Sequence, residues 1–205
     1  MNQYIKYNKI LLIILIVTLA SCSIGKKKET KIYTIKPAYS TILEQSCKTK
    51  FHPTLQIIEP EVASGLESRR IAILQANNRM NYYKSVRWAA PVSEMLQTSL
   101  LDAFEKTPAF ASVATDLDEI TPELILITDI RDFQVNLKDA PSVHIRLVSK
   151  LIDTKTHKII VTIPVEKTLI PEIYKMEQLV ISFDKAAANS ISDIVERSVA
   201  ALPCK

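Results

Sequence analysis

Cysteine and histidine are the residue types in this chain whose side chains could form covalent bonds or hold a metal. The sequence has three of each and no Cys-x-x-Cys pair, and the histidines, at positions 52, 144 and 157, lack the spacing typical of metal ligands. Only two glycines occur, which excludes the glycine-rich phosphate loops and the glycine-flanked nucleophile turn of hydrolases. We therefore predict a protein that is not an enzyme and that binds no metal or cofactor.

Cys22 is the cysteine with the most informative surroundings. Lys6 and Lys9 precede an apolar run over residues 10–17, which is too short to span a bilayer and is typical of a secretory signal. The run ends in Leu19-Ala20-Ser21-Cys22, which resembles the bacterial lipobox. The sequence thus predicts a signal peptide over residues 1–21 and a lipid on Cys22. An ordinary secretory signal with a chance cysteine is the alternative.

The residues after Cys22 predict where the protein works. Lipoproteins with aspartate directly after the cysteine tend to stay in the inner membrane, and Ser23 instead favours the periplasmic face of the outer membrane. Residues 22–30 form a polar tether that reaches less than about 30 Å when extended. The basic stretch 26–28 either contacts anionic head groups or is a solvated linker. A tether this short argues for a partner near the membrane.

The two other cysteines, Cys47 and Cys204, would then lie in an oxidising compartment, which permits a disulfide between them. Two buried free thiols are the alternative, because sequence does not reveal whether the two Cα atoms approach each other.

Length and charge limit the remaining possibilities. Residues 31–205 suit one domain. The formal charge of +4 falls by two when Lys6 and Lys9 leave with the signal, and this is too small to indicate nucleic-acid binding.

Hydrophobic periodicity predicts an α+β fold. Strands with alternating or continuous apolar residues are expected at 31–35, 54–59, 70–75, 124–137, 143–151 and 159–166. Apolar residues at three- and four-residue steps predict one helix from Pro91 to before Pro108 and a second over about 174–201. We expect a mainly antiparallel sheet with the two helices packed on one face.

Several short stretches, in this order, resemble a known family. They are Tyr33-Thr34-Ile35, Gly65-Leu66 with Arg69-Arg70-Ile71-Ala72, Tyr82-Tyr83, Arg87-Trp88 before Pro91, Phe110-x-x-Val113, Ile127-x-Asp129-Ile130-Arg131-Asp132-Phe133, Val143-x-Ile145-Arg146-Leu147 and Leu151-Ile152-Asp153. Together they are similar to the auxiliary lipoproteins of ABC-type transporters of the mammalian-cell-entry (MCE) class. The stretch 40–53, with Cys47, departs from the family pattern.

The resemblance implies a non-catalytic subunit that holds or organises an MCE-domain transporter component at the outer membrane during phospholipid or other lipid transport. Two other functions stay open. An assembly lipoprotein would bind a β-barrel, and a lipid carrier would need an apolar cavity of several hundred Å³. Association with further copies of the chain is also left open.

Aromatic and arginine side chains are the candidates for partner binding, because these types anchor protein interfaces. They are Arg69, Arg70, Tyr82, Tyr83 and Arg87. For the tyrosines, packing at the start of the first helix is an equal alternative, and for Trp88 it is the preferred interpretation. The arginines could instead pair with Asp129 and Asp132 inside the domain.

Overall fold

The computed structural model describes residues 29–38 and 52–203. Cys22, Cys47 and Cys204 lie outside the described residues, as do the predicted signal peptide and the tether up to residue 28. The predicted lipidation and disulfide therefore stay predictions.

Within the described residues the chain forms nine strands and two helices. In chain order they are β1 (Lys31–Tyr33), β2 (Thr54–Ile57), β3 (Glu61–Val62), β4 (Arg70–Gln75), β5 (Met80–Trp88), α1 (Val92–Glu105), β6 (Ser112–Thr115), β7 (Leu124–Leu137), β8 (Ser142–Asp153), β9 (Lys158–Leu169) and α2 (Met176–Ala200). The α+β prediction is confirmed, as are both helices and the strands expected near these positions. Sequence patterns did not predict β3 or β5 as strands, and around Phe110 and Val113, next to and within β6, they left a short strand or a turn open.

The expectation of a mainly antiparallel sheet is wrong, because the sheet is mixed. Among residues 29–38 and 52–203, five of the eight strand pairings are parallel, and the antiparallel ones are β4–β5, β7–β8 and β8–β9. The hairpins that join β7, β8 and β9 are visible in sequence as short polar turns. Parallel pairings instead need long crossover connections, and sequence periodicity does not reveal which strands such connections bring together.

Strand β7 is the centre of the sheet. Along one edge it pairs in parallel with three short strands in succession, with Leu55 opposite Leu124, Glu61 opposite Asp129, and Ala72 opposite Gln134. Along its other edge it pairs antiparallel with β8, which pairs with β9. Strands β5 and β1 extend the sheet beyond β4, and β6 extends it beyond β2.

Helix α1 forms because its apolar residues fall on one stripe. Val92, Met95, Leu96, Leu100 and Phe104 are all buried. The helix begins directly after Pro91, whose fixed φ suits a helix start, and Glu94 in the first turn complements the helix dipole.

Helix α2 is longer and packs on the same face of the sheet as α1, which it contacts. The small residues Ala186, Ala187 and Ser190 are fully buried and permit close approach to the sheet. Phe183 lies between two aromatic rings of the sheet, stacked on Phe133 at 5.0 Å and edge-on to Trp88 at 5.1 Å. Trp88 is 1% exposed, so its interpretation as a core residue is confirmed.

Candidate functional site

Arg70 and Tyr82 form a stacked pair on the exposed surface of β4 and β5. The guanidinium carbon of Arg70 lies 3.8 Å from the centroid of the Tyr82 ring, and its Nε donates to Ser68 Oγ at 3.4 Å. The Tyr82 hydroxyl donates a hydrogen bond to the Gly65 carbonyl at 2.8 Å, which fixes the ring. Stacking occupies the face of a guanidinium and leaves its terminal N–H groups directed outward, where such a planar fork binds carboxylates.

Arg87 lies directly opposite Arg70 in the antiparallel β4–β5 register. Cross-strand partners project from the same face of a sheet, and two like charges in this position destabilise it. Both side chains are exposed, and neither they nor Arg69 have a carboxylate ion-pair partner within the part of the chain that the structure describes. Arg69 is exposed just before β4, where its carbonyl accepts a hydrogen bond from the Trp88 amide. We call Arg70, Tyr82 and Arg87 the arginine surface. Its arrangement suits an acidic ligand or partner.

The carboxylates considered as internal partners of these arginines are engaged elsewhere. Asp132 accepts a hydrogen bond from Arg146, and Asp129 lies 3.7 Å from Lys150 Nζ. Both pairs join β7 to β8 by cross-strand contacts. The alternative in which the arginines of the predicted site pair with Asp129 and Asp132 is therefore wrong.

Tyr83 follows Tyr82 in β5, and its hydroxyl reaches the segment before α2. Its hydroxyl lies 2.5 Å from that of Tyr174, just before α2. Burial raises the pKa of Tyr83, and the hydrogen bond with Tyr174 adds to the increase. The structure thus brings Arg70, Tyr82 and Arg87 together and gives Tyr83 a contact within the domain.

The arginine surface borders the start of the described chain. An open depression of about 530 Å³ is lined by residues from both, including Thr30, Arg70, Tyr82 and Arg87. Strand β1 pairs in parallel with the end of β5, with Ile32 opposite Arg87. The residues that follow the tether therefore lie beside this surface.

Two features of the site could not be found in the sequence. The stacking of Arg70 on Tyr82 depends on a turn at Gly65 and on the pairing of β4 with β5. The contact of Tyr83 with Tyr174 joins residues 91 positions apart. The sequence does contain one indication that the segment around Tyr174 has a role. Ile170 and Ile173 flank Pro171, and neither strand nor helix periodicity explains apolar residues at these positions.

Among residues 29–38 and 52–203, no group of three or more His, Cys, Asp or Glu side chains could hold a metal ion. Over the same residues, neither helix combines the length and apolar character that crossing a bilayer requires.

Comparisons with known proteins identify one family. The model of the family described as "ABC-type transport auxiliary lipoprotein component" matches residues 33–192. No curated protein matches the chain in sequence.

Solved structures share the fold. Protein XCC0632 from Xanthomonas campestris, of the family DUF330, is 19% identical, with a TM-score of 0.73 over 83% of this chain and 96% of that one. An uncharacterised protein is 12% identical, with a TM-score of 0.65 over 83% and 99% of the two chains. The hypothetical protein CT253 from Chlamydia trachomatis is 5% identical, with a TM-score of 0.51 over 73% and 96%. At these identities the likeness concerns the fold alone.

Proposed function

The chain belongs to the family of ABC-type transport auxiliary lipoprotein components, and from this premise we propose that it is a lipid-anchored, non-catalytic subunit of an MCE-type transporter. In this role it is fixed to the outer membrane through Cys22, on the periplasmic side. It holds the MCE-domain component in place while phospholipid or another lipid passes between the membranes.

The observation that carries the partner assignment is the opposition of Arg70 and Arg87. Their charges repel each other across the β4–β5 ladder, and no carboxylate among the described residues neutralises them. An acidic surface on a partner would remove this repulsion and gain charge-assisted hydrogen bonds. Tyr82 keeps Arg70 in a fixed position before binding, which lowers the entropy lost on association.

A filled core supports an adaptor rather than a carrier that encloses a lipid. The space between sheet and helices is occupied by buried side chains, the largest of which are Trp88, Phe104, Phe133 and Phe183. A depression of about 550 Å³, lined by residues such as Gln56, Pro122 and Lys155, is open to solvent and lies outside this core.

The partner assignment is tested by replacing the arginines in the full-length protein. Arg70→Ala and Arg87→Ala, together, should reduce recovery of the MCE-domain component after cross-linking in cells. A true anchor residue contributes about 1–4 kcal/mol, which corresponds to roughly a fivefold to several-hundredfold loss of affinity. The matched control is Arg79→Ala in the β4–β5 turn, where Arg79 is bonded to Gln75.

The unfolding midpoint of the double variant should change little, because relief of the repulsion between two opposed like charges offsets the loss of the Arg70–Tyr82 stacking. Unchanged recovery of the component would contradict the assignment of the arginine surface. Failure to recover any transporter component with the unaltered protein would contradict the adaptor function itself.

The proposed modifications of the cysteines are tested separately. Mass spectrometry of the mature N-terminus should find Cys22 acylated. Thiol labelling of the natively purified protein distinguishes a Cys47–Cys204 disulfide from two free thiols.

A further inference from the structure

Exposed apolar side chains are concentrated in one short part of the chain. Among the described residues eight large hydrophobic side chains are exposed, and half of them lie between the end of β9 and the second turn of α2. These four are Ile170, Ile173, Tyr174 and Ile181, which we call the apolar patch. Single exposed hydrophobic residues are normal on a protein surface, whereas a cluster marks an interaction surface.

The apolar patch is held in place by contacts of its own segment. Pro171 restricts the loop, and the Lys175 amide donates to the Ile173 carbonyl at 2.7 Å. The Tyr174 hydroxyl contacts that of Tyr83 on β5. The isoleucines are thus presented to solvent by an ordered loop, with Ile170 70% and Ile173 55% exposed.

The patch lies beside the residues that follow the tether. Glu177, in the first turn of α2, bonds to Lys31 at 3.2 Å and to the Tyr33 hydroxyl at 3.0 Å. Further along the same helix, Asp184 accepts a hydrogen bond from the Lys36 amide at 2.9 Å. Residues 31–36 therefore run along the first turns of α2, next to the apolar patch.

The tether places this part of the domain at a membrane. Cys22 lies seven positions before Glu29, so the described chain begins within about 25 Å of the lipid even when the tether is fully extended. The exposed charges around the patch are balanced, with Lys175 and Lys185 as the lysines and Glu172 and Glu177 as the carboxylates. Long lysine side chains at an interface cover apolar surface and direct their charge to anionic head groups.

We propose that the apolar patch inserts into the head-group region of the membrane to which the Cys22 lipid is attached, and that it thereby fixes the orientation of the domain. Tyrosine is enriched at membrane–water interfaces, and apolar side chains beside lysine are typical of a segment that lies in the head-group region. Isoleucine is not among the types enriched at the anchor positions of protein interfaces. The proposal rests on the lipidation in the proposed function.

The orientation assigns different tasks to two neighbouring surfaces. The apolar patch faces the lipid, and the arginine surface, on the other side of β1, stays accessible to a protein partner. A lipid chain alone would leave the domain free to rotate about the tether, whereas a second contact restricts that rotation.

The test uses fluorescence of a single introduced tryptophan in the full-length lipidated protein. Ile173→Trp reports on the patch, and Ile159→Trp, at the start of β9, is the matched control because both isoleucines are 55% exposed. Trp88, the one natural tryptophan, is 1% exposed and supplies a constant background. Each protein is reconstituted into vesicles of phosphatidylethanolamine and phosphatidylglycerol with brominated acyl chains.

We expect the brominated lipids to quench the tryptophan at position 173 several-fold more than the one at position 159, and its emission to shift to shorter wavelength. Equal quenching at both positions overturns the proposal. So does a tryptophan at position 173 that is shielded only when a second copy or a transporter component is added, since the patch would then be a protein interface. Unfolding of each variant is compared with that of the unaltered protein to confirm a native fold.

Mass spectrometry of the same preparations separates the two proposals. Acylated Cys22 without quenching at position 173 overturns the membrane contact and leaves the lipid-anchored adaptor in place. An unmodified Cys22 overturns both. Quenching at position 173 together with no recovery of a transporter component in cells overturns the adaptor function alone.

Discussion

Gly65 is the residue on which the shape of the arginine surface depends. Its φ of +90° lies in the left-handed region, which residues with a Cβ rarely adopt. Its carbonyl accepts the hydrogen bond that holds the Tyr82 hydroxyl, and Tyr82 carries Arg70 on its ring. A backbone conformation at one position therefore positions a guanidinium five residues further along the chain.

We predict that Gly65→Ala lowers the free energy of unfolding by about 1–2 kcal/mol. A Cβ at this position would lie 2.7 Å from the Met80 sulfur, but that flexible side chain can move, so backbone strain accounts for most of the loss. Denaturant unfolding measures the change. Ser64→Ala, at the exposed neighbouring position, is the control and should be nearly neutral. Equal stability of the two variants would show that the turn adapts without strain.

The sequence predicted the types of the candidate residues but not the face of the sheet from which each side chain projects. Arginine and tyrosine are the types that anchor interfaces, and Arg70, Tyr82 and Arg87 do lie together on an exposed surface. Tyr83 instead contacts Tyr174, and this follows only when the structure of residues 80–88 is known. The polar and aromatic sequence there gives no clear alternation, because β5 carries a positive φ at Ser85 and pairs irregularly with β4.

Helix α2 is joined to the sheet by an aromatic cluster. Phe183 contacts both Trp88 at the end of β5 and Phe133 in β7. All three rings are fully buried. The first turns of α2 also carry part of the apolar patch, so the packing of Phe183 supports the surface on the opposite side of the helix.

We predict that Phe183→Ala lowers the free energy of unfolding by about 3–5 kcal/mol, because it removes a buried ring and leaves a cavity between two others. Ile181→Ala, two residues earlier on the exposed side, should change it by no more than about 0.5 kcal/mol. Thermal or denaturant unfolding of both variants checks the contrast. A small effect of Phe183→Ala would mean that α2 is not essential to the stability of the sheet.

At the level of elements, sequence gives strand positions better than strand partners. The 14-residue β7 and the helices follow from hydrophobic periodicity, and the β7–β8–β9 meander follows from its short turns. The parallel alignment of β2, β3 and β4 along β7 does not follow from any pattern in the sequence. It joins residues 54–75 to residues 124–137 through contacts that no local pattern encodes, and its result is the mixed sheet.

The whole molecule has its two candidate surfaces on either side of β1, the first strand after the tether. The arginine surface adjoins β1 through β5, and the apolar patch adjoins it through the Lys31–Glu177 and Tyr33–Glu177 contacts. With the proposed lipid on Cys22, the length of the tether would set how often either surface meets a membrane or a membrane-bound partner. An attached domain has an effective concentration at its target that falls as its linker is lengthened beyond the necessary span.

We predict that inserting 20 glycine and serine residues after Gly25 weakens the membrane contact without removing the anchor. The distance in sequence between Cys22 and Glu29 would rise from seven positions to about 27, and a dependence on the −3/2 power of length gives a roughly eightfold lower effective concentration at the membrane. Brominated lipids should then quench the Ile173→Trp reporter less, while the protein stays in the membrane fraction and unfolds as before. Inserting the same segment in the exposed turn at Asn77-Asn78, far from the tether in sequence, is the control. Unchanged quenching with the long tether would show that the apolar patch binds the membrane independently of the anchor, and loss of quenching in the control would show that the insertion disturbs the fold instead.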